Sequence, residues 1–277
     1  MRSISANTIS SVVMRLCKEA NLYLRNDVLS ALKYAYLKET NKRAKAILMA
    51  IIENARIARL EELAICQDTG MPVVFVEIGQ QVRIKGDLKS AINKGVKAGY
   101  QKGNLRNSVV TDPLSRGASK YIPAVIHIDF VKGDKLKLTV LPKGFGCENK
   151  SSLKMFKPTA GWFEIKKFII QTVKDAGADA CPPYIVGVGI GGTADYATFL
   201  AKKALLRKLN AKPYTLYAKL ESNLLKEINK LNIGPMGLGG RTTALAVNIE
   251  AYPTHIAGLP VAVNISCHAL RSAALVL

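Results

Sequence analysis

Residues 184–192, YIVGVGIGG, form an unbroken apolar run that stops in glycines. The stretch behind it, TADYATFLAKKALLRKL (193–209), has helical spacing. A short apolar run bounded by turn residues reads as a buried strand. Here the strand enters a glycine turn and then a helix. That order demands a sheet with helices packed on it. The glycines admit two readings. Free N–H groups at the helix start could hold an anion, or the missing side chains could simply permit close packing. The segment is not GxGxxG with a downstream acid, and no GK[ST] makes it a P-loop.

The rest of the chain predicts a mixed fold. The first 60 residues read as helices, with Asn26 capping VLSALKYAYLKE and Thr40 capping the next one. In that next helix Ala44, Ile47, Leu48, Ile51, Ala55 and Ala58 recur at steps of three and four, giving one apolar face. MPVVFVEIG (71–79) reads as a strand with Pro72 near its start. Asp87 caps a helix through Tyr100, and the polar stretch 102–123 reads as a loop or an irregular connection. AVIHIDFV and KLKLTVLP flank Gly133-Asp134 in the pattern of a two-residue hairpin. Helices are expected over 160–176, 193–209 and about 215–230, with short apolar strands and glycine-rich turns beyond. The fold class is α+β (mixed α/β): a helical N-terminal region, about 1–62, then mixed sheets flanked by helices, rather than a doubly wound sheet. The chain is long enough for one large domain or two small ones.

The start, MRSISANTISSVV, lacks the basic flank and apolar core of a signal peptide, and no apolar run is long enough to span a membrane. A cytoplasmic location is expected. The five cysteines, 17, 66, 147, 181 and 267, are odd in number and widely spaced, unlike a disulfide framework. No CxxC pair suggests a zinc ribbon. The net charge is +20, yet residues 232–277 hold only Arg241, Arg271 and Glu250. The surplus reads as solvated lysine-rich helix faces, because no stacking aromatics or nucleic-acid module accompany it.

Candidate chemistry gathers at element ends. Cys66, Cys181 and Cys267 each sit at one, where a cluster could form or where three small apolar residues could simply be buried. Cys66 opens CQDTG. NIGPMGLGGRTTA (232–244) lets backbone approach a ligand closely or makes a tight turn. Of three histidines, His127 reads as structural, His255 lies in a turn-rich stretch, and His268 follows Cys267.

CQDTGMPVVFVEIG, LRNSVVTDPLSR, PKGFGCENKS, CPPYIVGVGIGGTAD and the block from NIGPMGLGGRTTA to NISCHALR together resemble the class I, iron–sulfur fumarate hydratases. More closely, the chain resembles the α subunit of the two-subunit form, a near relative of the L-tartrate dehydratase α subunit. The resemblance runs from about residue 10 to the C-terminus and implies a single cluster-binding domain over 1–277. It implies a 4Fe–4S cluster held by Cys66, Cys181 and Cys267. Three thiolates would leave one iron open as a Lewis acid. Gln67, Asp68, Arg106 and His255 would contact a small dicarboxylate. Asp68 would be an acid/base or orienting group, and His255 would donate a hydrogen bond or move a proton. The glycine stretches 187–192 and 237–240 would shape the pocket. Cys147 stands where the family carries serine, so it is not counted as a ligand.

The resemblance implies a hydro-lyase interconverting fumarate and (S)-malate. The same-family alternative is tartrate dehydration to oxaloacetate, and the different-class alternative is a basic nucleic-acid-binding protein. The apolar end ALRSAALVL reads as a surface for a separate β subunit, in an α2β2 assembly.

Overall fold

The computed structural model describes residues 2–209 and 216–277. In chain order the elements are β1 (Arg2–Ser5), α1 (Ala6–Leu22), α2 (Asn26–Lys38), α3 (Lys42–Leu60), β2 (Met71–Gly79), β3 (Val82–Lys85), α4 (Leu88–Lys102), β4 (Val109–Asp112), β5 (Arg116–Lys120), β6 (Val125–Val131), β7 (Leu136–Lys143), α5 (Phe145–Glu148), β8 (Ser152–Phe156), α6 (Trp162–Ala176), β9 (Tyr184–Gly192), α7 (Ala194–Ala204), α8 (Ala218–Asn229), β10 (Ala244–Thr254), β11 (Leu259–Ser266) and β12 (Ala273–Val276). The fold is mixed α+β, as the element order implies. The chain divides into two compact units. No helix among the described residues is long and apolar enough to cross a membrane.

The first unit takes the N-terminal residues to Arg25, then Ala55–Phe145 and Arg271–Leu277. Its main sheet has the order β12-β7-β2-β6, with β2 antiparallel to β7 and parallel to β6. The expected hairpin between β6 and β7 does not form, because β2 lies between them. β2 is apolar on both faces and almost wholly buried, so it takes the central place. The Gly133 turn instead closes over the end of β2, with its carbonyl accepting from Gln81 N at 3.0 Å. α1 and α4 cover one face through Val13, Leu16, Cys17, Ile92, Val96 and Tyr100, which meet Val74, Val76, Leu138 and Val140. The α1–α4 crossing is tight at Gly99, where a Cβ would lie 2.7 Å from that of Cys17. Asp87 caps α4 as expected, accepting from Ser90 N at 2.5 Å.

Three further readings need correction in this unit. Residues 2–5 are not helical but pair in parallel with β3. The polar stretch after α4 holds a hairpin of its own, β4 with β5, whose solvent-facing residues carry no apolar alternation. The apolar C-terminus is strand β12 against β7, with Ala273, Leu275 and Leu277 packed on the core. Its apolarity therefore has an internal cause and does not argue for a partner.

The second unit takes Asn26–Asn54 and Gly146–Leu270. Its sheet has the order β10-β9-β11-β8, with β9 and β10 parallel and β11 antiparallel to both β9 and β8. Tyr184, Val186 and Val188 of β9 face a core shared with Ile165, Ile169 and Val173 of α6 and Leu224 and Ile228 of α8. The alternate residues, Gly187 and Gly189, lie under α7. A Cβ on Gly187 would come 2.1 Å from the Ala201 carbonyl, and one on Gly189 would come 2.0 Å from that of Ala197. For these two glycines the close-packing reading holds. α7 ends at Ala204 rather than running to 209. α8 begins at Ala218, and residue 215, the expected start, lies outside the described residues. Asn41, not Thr40, caps α3, accepting from Arg43 N and Ala44 N at 3.0 and 3.2 Å. Glu39 Oε1 accepts from the N–H groups of Thr40 and Asn41, both at 2.9 Å. The expected apolar face is present, with Ala44, Leu48, Ile51, Ala55 and Ala58 buried and Ile47 partly so.

Gly189→Val should destabilise the protein by about 3 kcal/mol or more, since backbone rather than a flexible side chain must move. Denaturant unfolding monitored by circular dichroism checks this. Burial pushes the Cys17 thiol from its ordinary 9.0 up to about 12. The unfolded chain therefore loses this proton first, and stability falls as pH rises from 9.0 towards 12. Cys17→Ala should remove about one proton's worth of that slope in unfolding free energy against pH.

Candidate active site

CQDTG lies between α3 and β2, in the first unit. Its backbone is held by donors from elsewhere in that unit. The Tyr100 hydroxyl, 1% exposed, lies 3.0 and 3.1 Å from the carbonyls of Thr69 and Gly70 and shares its one proton between them. Burial pushes the Tyr100 phenol well above its ordinary value, so it remains a donor. Arg271 Nη2 donates to the Asp68 carbonyl. Thr69 Oγ1 donates to the Arg106 carbonyl at 3.2 Å and accepts from Arg106 N at 3.0 Å. CQDTG and the LRNS segment are thereby one rigid piece.

The Asp68 carboxylate is part of the same knot. Oδ1 accepts from Gly70 N at 2.9 Å and Oδ2 from Phe145 N at 2.8 Å. Gly70 has φ +75°, and a Cβ there would meet the Pro142 and Lys143 backbone at 2.7 and 2.8 Å. Glycine is required both for the turn and for the approach to β7. The Gln67 and Arg106 side chains are exposed, and the Arg106 guanidinium has no partner among the described residues. Cys66 is partly exposed.

In the second unit, Cys181 has φ +56°, a left-handed conformation unusual for a side-chain-bearing residue. His268 fixes it: its backbone N–H and its Nδ1 reach the Cys181 carbonyl at 3.3 and 3.1 Å. A carbonyl only accepts, so His268 Nδ1 carries the proton. Cys267 precedes His268, and both cysteines are partly exposed. The loop 234–240 lies on this segment. Met236 N donates to the Pro182 carbonyl at 2.8 Å, and a Cβ on Gly237 would come 2.3 Å from that of Ala178. Cys147 is buried and donates to the Ala180 carbonyl at 3.3 Å. None of the five cysteines, all among the described residues, is in a disulfide.

Also in this unit, the glycine turn after β9 and the end of β10 form an open cavity of about 410 Å3 lined by Gly192, Thr193, Tyr196, Tyr252, Thr254 and His255. Thr254 Oγ1 donates to the Gly192 carbonyl at 2.9 Å, and the Tyr196 and Tyr252 rings meet edge-on at 4.7 Å. His255 Nδ1 accepts from Ala257 N at 3.1 Å. The neutral ring therefore carries its proton on Nε2 and has a donor to offer. His127 stacks on Phe75 at 5.1 Å, a structural role. Among the described residues, no three His, Cys, Asp or Glu side chains form a ready metal-binding group.

Sequence reasoning named the side chains that could do chemistry and missed those that hold them. Tyr100, Thr69, Arg271 and His268 act through long-range bonds to backbone. Only the adjacency of His268 to Cys267 was a signal. Tyr100→Phe leaves two buried carbonyls short of a donor and should cost about 1–3 kcal/mol. Thermal unfolding of the variant measures it.

A family model described as fumarate hydratase (Fumerase) matches residues 10–276. A Methanocaldococcus jannaschii protein, provisionally named L(+)-tartrate dehydratase subunit alpha, is 45% identical over 96% of this chain and 96% of that protein. The L(+)-tartrate dehydratase subunit alpha of Escherichia coli strain UTI89 is 30% identical over 96% of this chain and 90% of its own length. That of strain K12 is 29% identical over the same shares. With the family model spanning nearly the whole sequence and relatives matched end to end, the chain belongs to the class I fumarate hydratase family.

Proposed function

We propose that the chain is the α subunit of an iron–sulfur hydro-lyase that acts on a four-carbon dicarboxylate together with a separate β subunit. The observation that carries this is the end-to-end likeness to proteins named L(+)-tartrate dehydratase subunit alpha. On those names, dehydration of L-tartrate to oxaloacetate is the preferred reaction. Hydration of fumarate to (S)-malate is the second reading, favoured by the description of the family model.

The donor set suits the group that this reading requires. Cys66, Cys181 and Cys267 are partly exposed and outside any disulfide, whereas Cys17 and Cys147 are buried. Burial raises the Cys17 thiol, and a thiol must lose its proton to bind iron. The three partly exposed thiolates would hold a 4Fe–4S cluster, which supplies a Lewis acid for the departing or entering hydroxyl.

The chain's own residues do the rest. Arg106, with its guanidinium exposed, pairs with a substrate carboxylate through two parallel hydrogen bonds. The exposed Gln67 amide orients the substrate beside it. Asp68 orients the loop, a role supported by the two backbone N–H groups that occupy its carboxylate. His255, exposed and with Nδ1 already accepting from Ala257 N, donates a hydrogen bond from Nε2 to a substrate oxygen or passes its proton there. The β subunit completes the site, and two of each chain make the α2β2 enzyme.

The test is anaerobic reconstitution of the α–β complex, followed by kcat/KM on L-tartrate and on fumarate. Turnover of either, with roughly 10²–10⁴-fold loss of kcat in His255→Gln and loss of bound iron in Cys181→Ser, is expected. Iron-free wild type, or iron-loaded complex inert towards both substrates, would overturn the proposal. Steeply salt-dependent nucleic-acid binding in its place would favour the basic-protein alternative.

A further inference from the structure

Arg271 opens the last segment of the first unit and is 4% exposed. A guanidinium cannot lose its charge in a protein. Nη2 donates to the Asp68 carbonyl, while Nε is buried with no hydrogen-bond partner. No carboxylate among the described residues pairs with it. The Asp68 carboxylate, in the same loop, is taken up by Gly70 N and Phe145 N. The nearby Tyr100 phenol is kept neutral by burial, and no salt bridge joins the Arg271 guanidinium to the Asp68 carboxylate. A buried cation without a partner is costly, and a methionine of similar length would fill the space more cheaply. The loop that this cation holds also carries Cys66 and Gln67.

We infer that Arg271 is a positioning residue: it fixes the Cys66–Gly70 loop through the Asp68 carbonyl, and its unpaired charge favours an anionic ligand at that loop. The nature of the anion, a dicarboxylate, rests on the hydro-lyase reading; the holding of the loop does not. The carbonyls of Asp68, Thr69 and Gly70 are drawn inward by two buried donors, Arg271 and Tyr100. The cation is the one of the two whose charge an incoming anion would feel.

Amide hydrogen exchange on the full chain, without cofactor, tests the holding directly in wild type, Arg271→Met, Arg271→Gln and Arg271→Lys. Exchange over residues 66–70 should quicken about tenfold or more in Arg271→Met, with protection over the rest of the unit unchanged and the unfolding midpoint no lower than that of wild type. Arg271→Lys, which keeps the charge and a donor, should stay near wild type, and Arg271→Gln should fall with Arg271→Met. If Arg271→Met does not fold, the Lys and Gln variants decide. In the α–β complex, KM for the dicarboxylate should rise about tenfold or more in Arg271→Gln, with kcat changed far less, and Arg271→Lys should restore it. Wild-type protection in Arg271→Met and Arg271→Gln, loosening spread over the whole unit, or a lysine variant as poor as the glutamine one overturns the inference. A complex inert towards both dicarboxylates sinks the hydro-lyase reading, while the exchange result on the chain alone still decides whether Arg271 holds the loop.

Discussion

One buried phenol and one buried guanidinium hold the candidate site of the first unit. Tyr100 and Arg271 reach three successive carbonyls of CQDTG, at Asp68, Thr69 and Gly70. An unpaired backbone carbonyl away from water is expensive, so each must find a donor or face solvent. Here all three turn inward, which leaves Gln67 exposed and Cys66 partly so. Thr69 extends the constraint to Arg106 through a reciprocal pair of bonds. Residues far apart in sequence thus form one stiff platform, and its stiffness comes from backbone pairing rather than from the reactive side chains.

The second unit reaches a comparable result by another route. Glycines at alternate positions of β9 let α7 approach the sheet to near backbone contact. α7 therefore starts beside the end of β10, where Thr193, Tyr196, Tyr252 and His255 line one cavity. The Cys181 turn is stabilised by His268 at its carbonyl and by the loop of residues 234–240 above it. A left-handed cysteine persists only when its surroundings over-determine it, and such strain gathers at functional sites.

Local signals were read well. Asp87 capping α4, the apolar face of α3 and the strand β2 all depend on residues within a few positions of one another. Non-local choices were not legible. β6 and β7 have the pattern of a hairpin, yet each pairs with β2, because a more buried strand competes for the centre of the sheet. Asn41, rather than Thr40, caps α3, and the same turn is tied by Glu39, which accepts from Thr40 N and, at 2.8 Å, from the distant Arg241 N.

By itself the sequence determined the family, the fold class, and the cysteines, amide, carboxylate, arginine and histidine on which any chemistry would draw, since motifs and periodicity are properties of neighbouring residues. Only the tertiary structure decided strand order, the inward turn of the CQDTG carbonyls, the tautomers of His255 and His268, and the isolation of the Arg271 charge. Each of these is a contest among partners distant in the chain, settled by burial and hydrogen-bond satisfaction, and no local pattern encodes the winner.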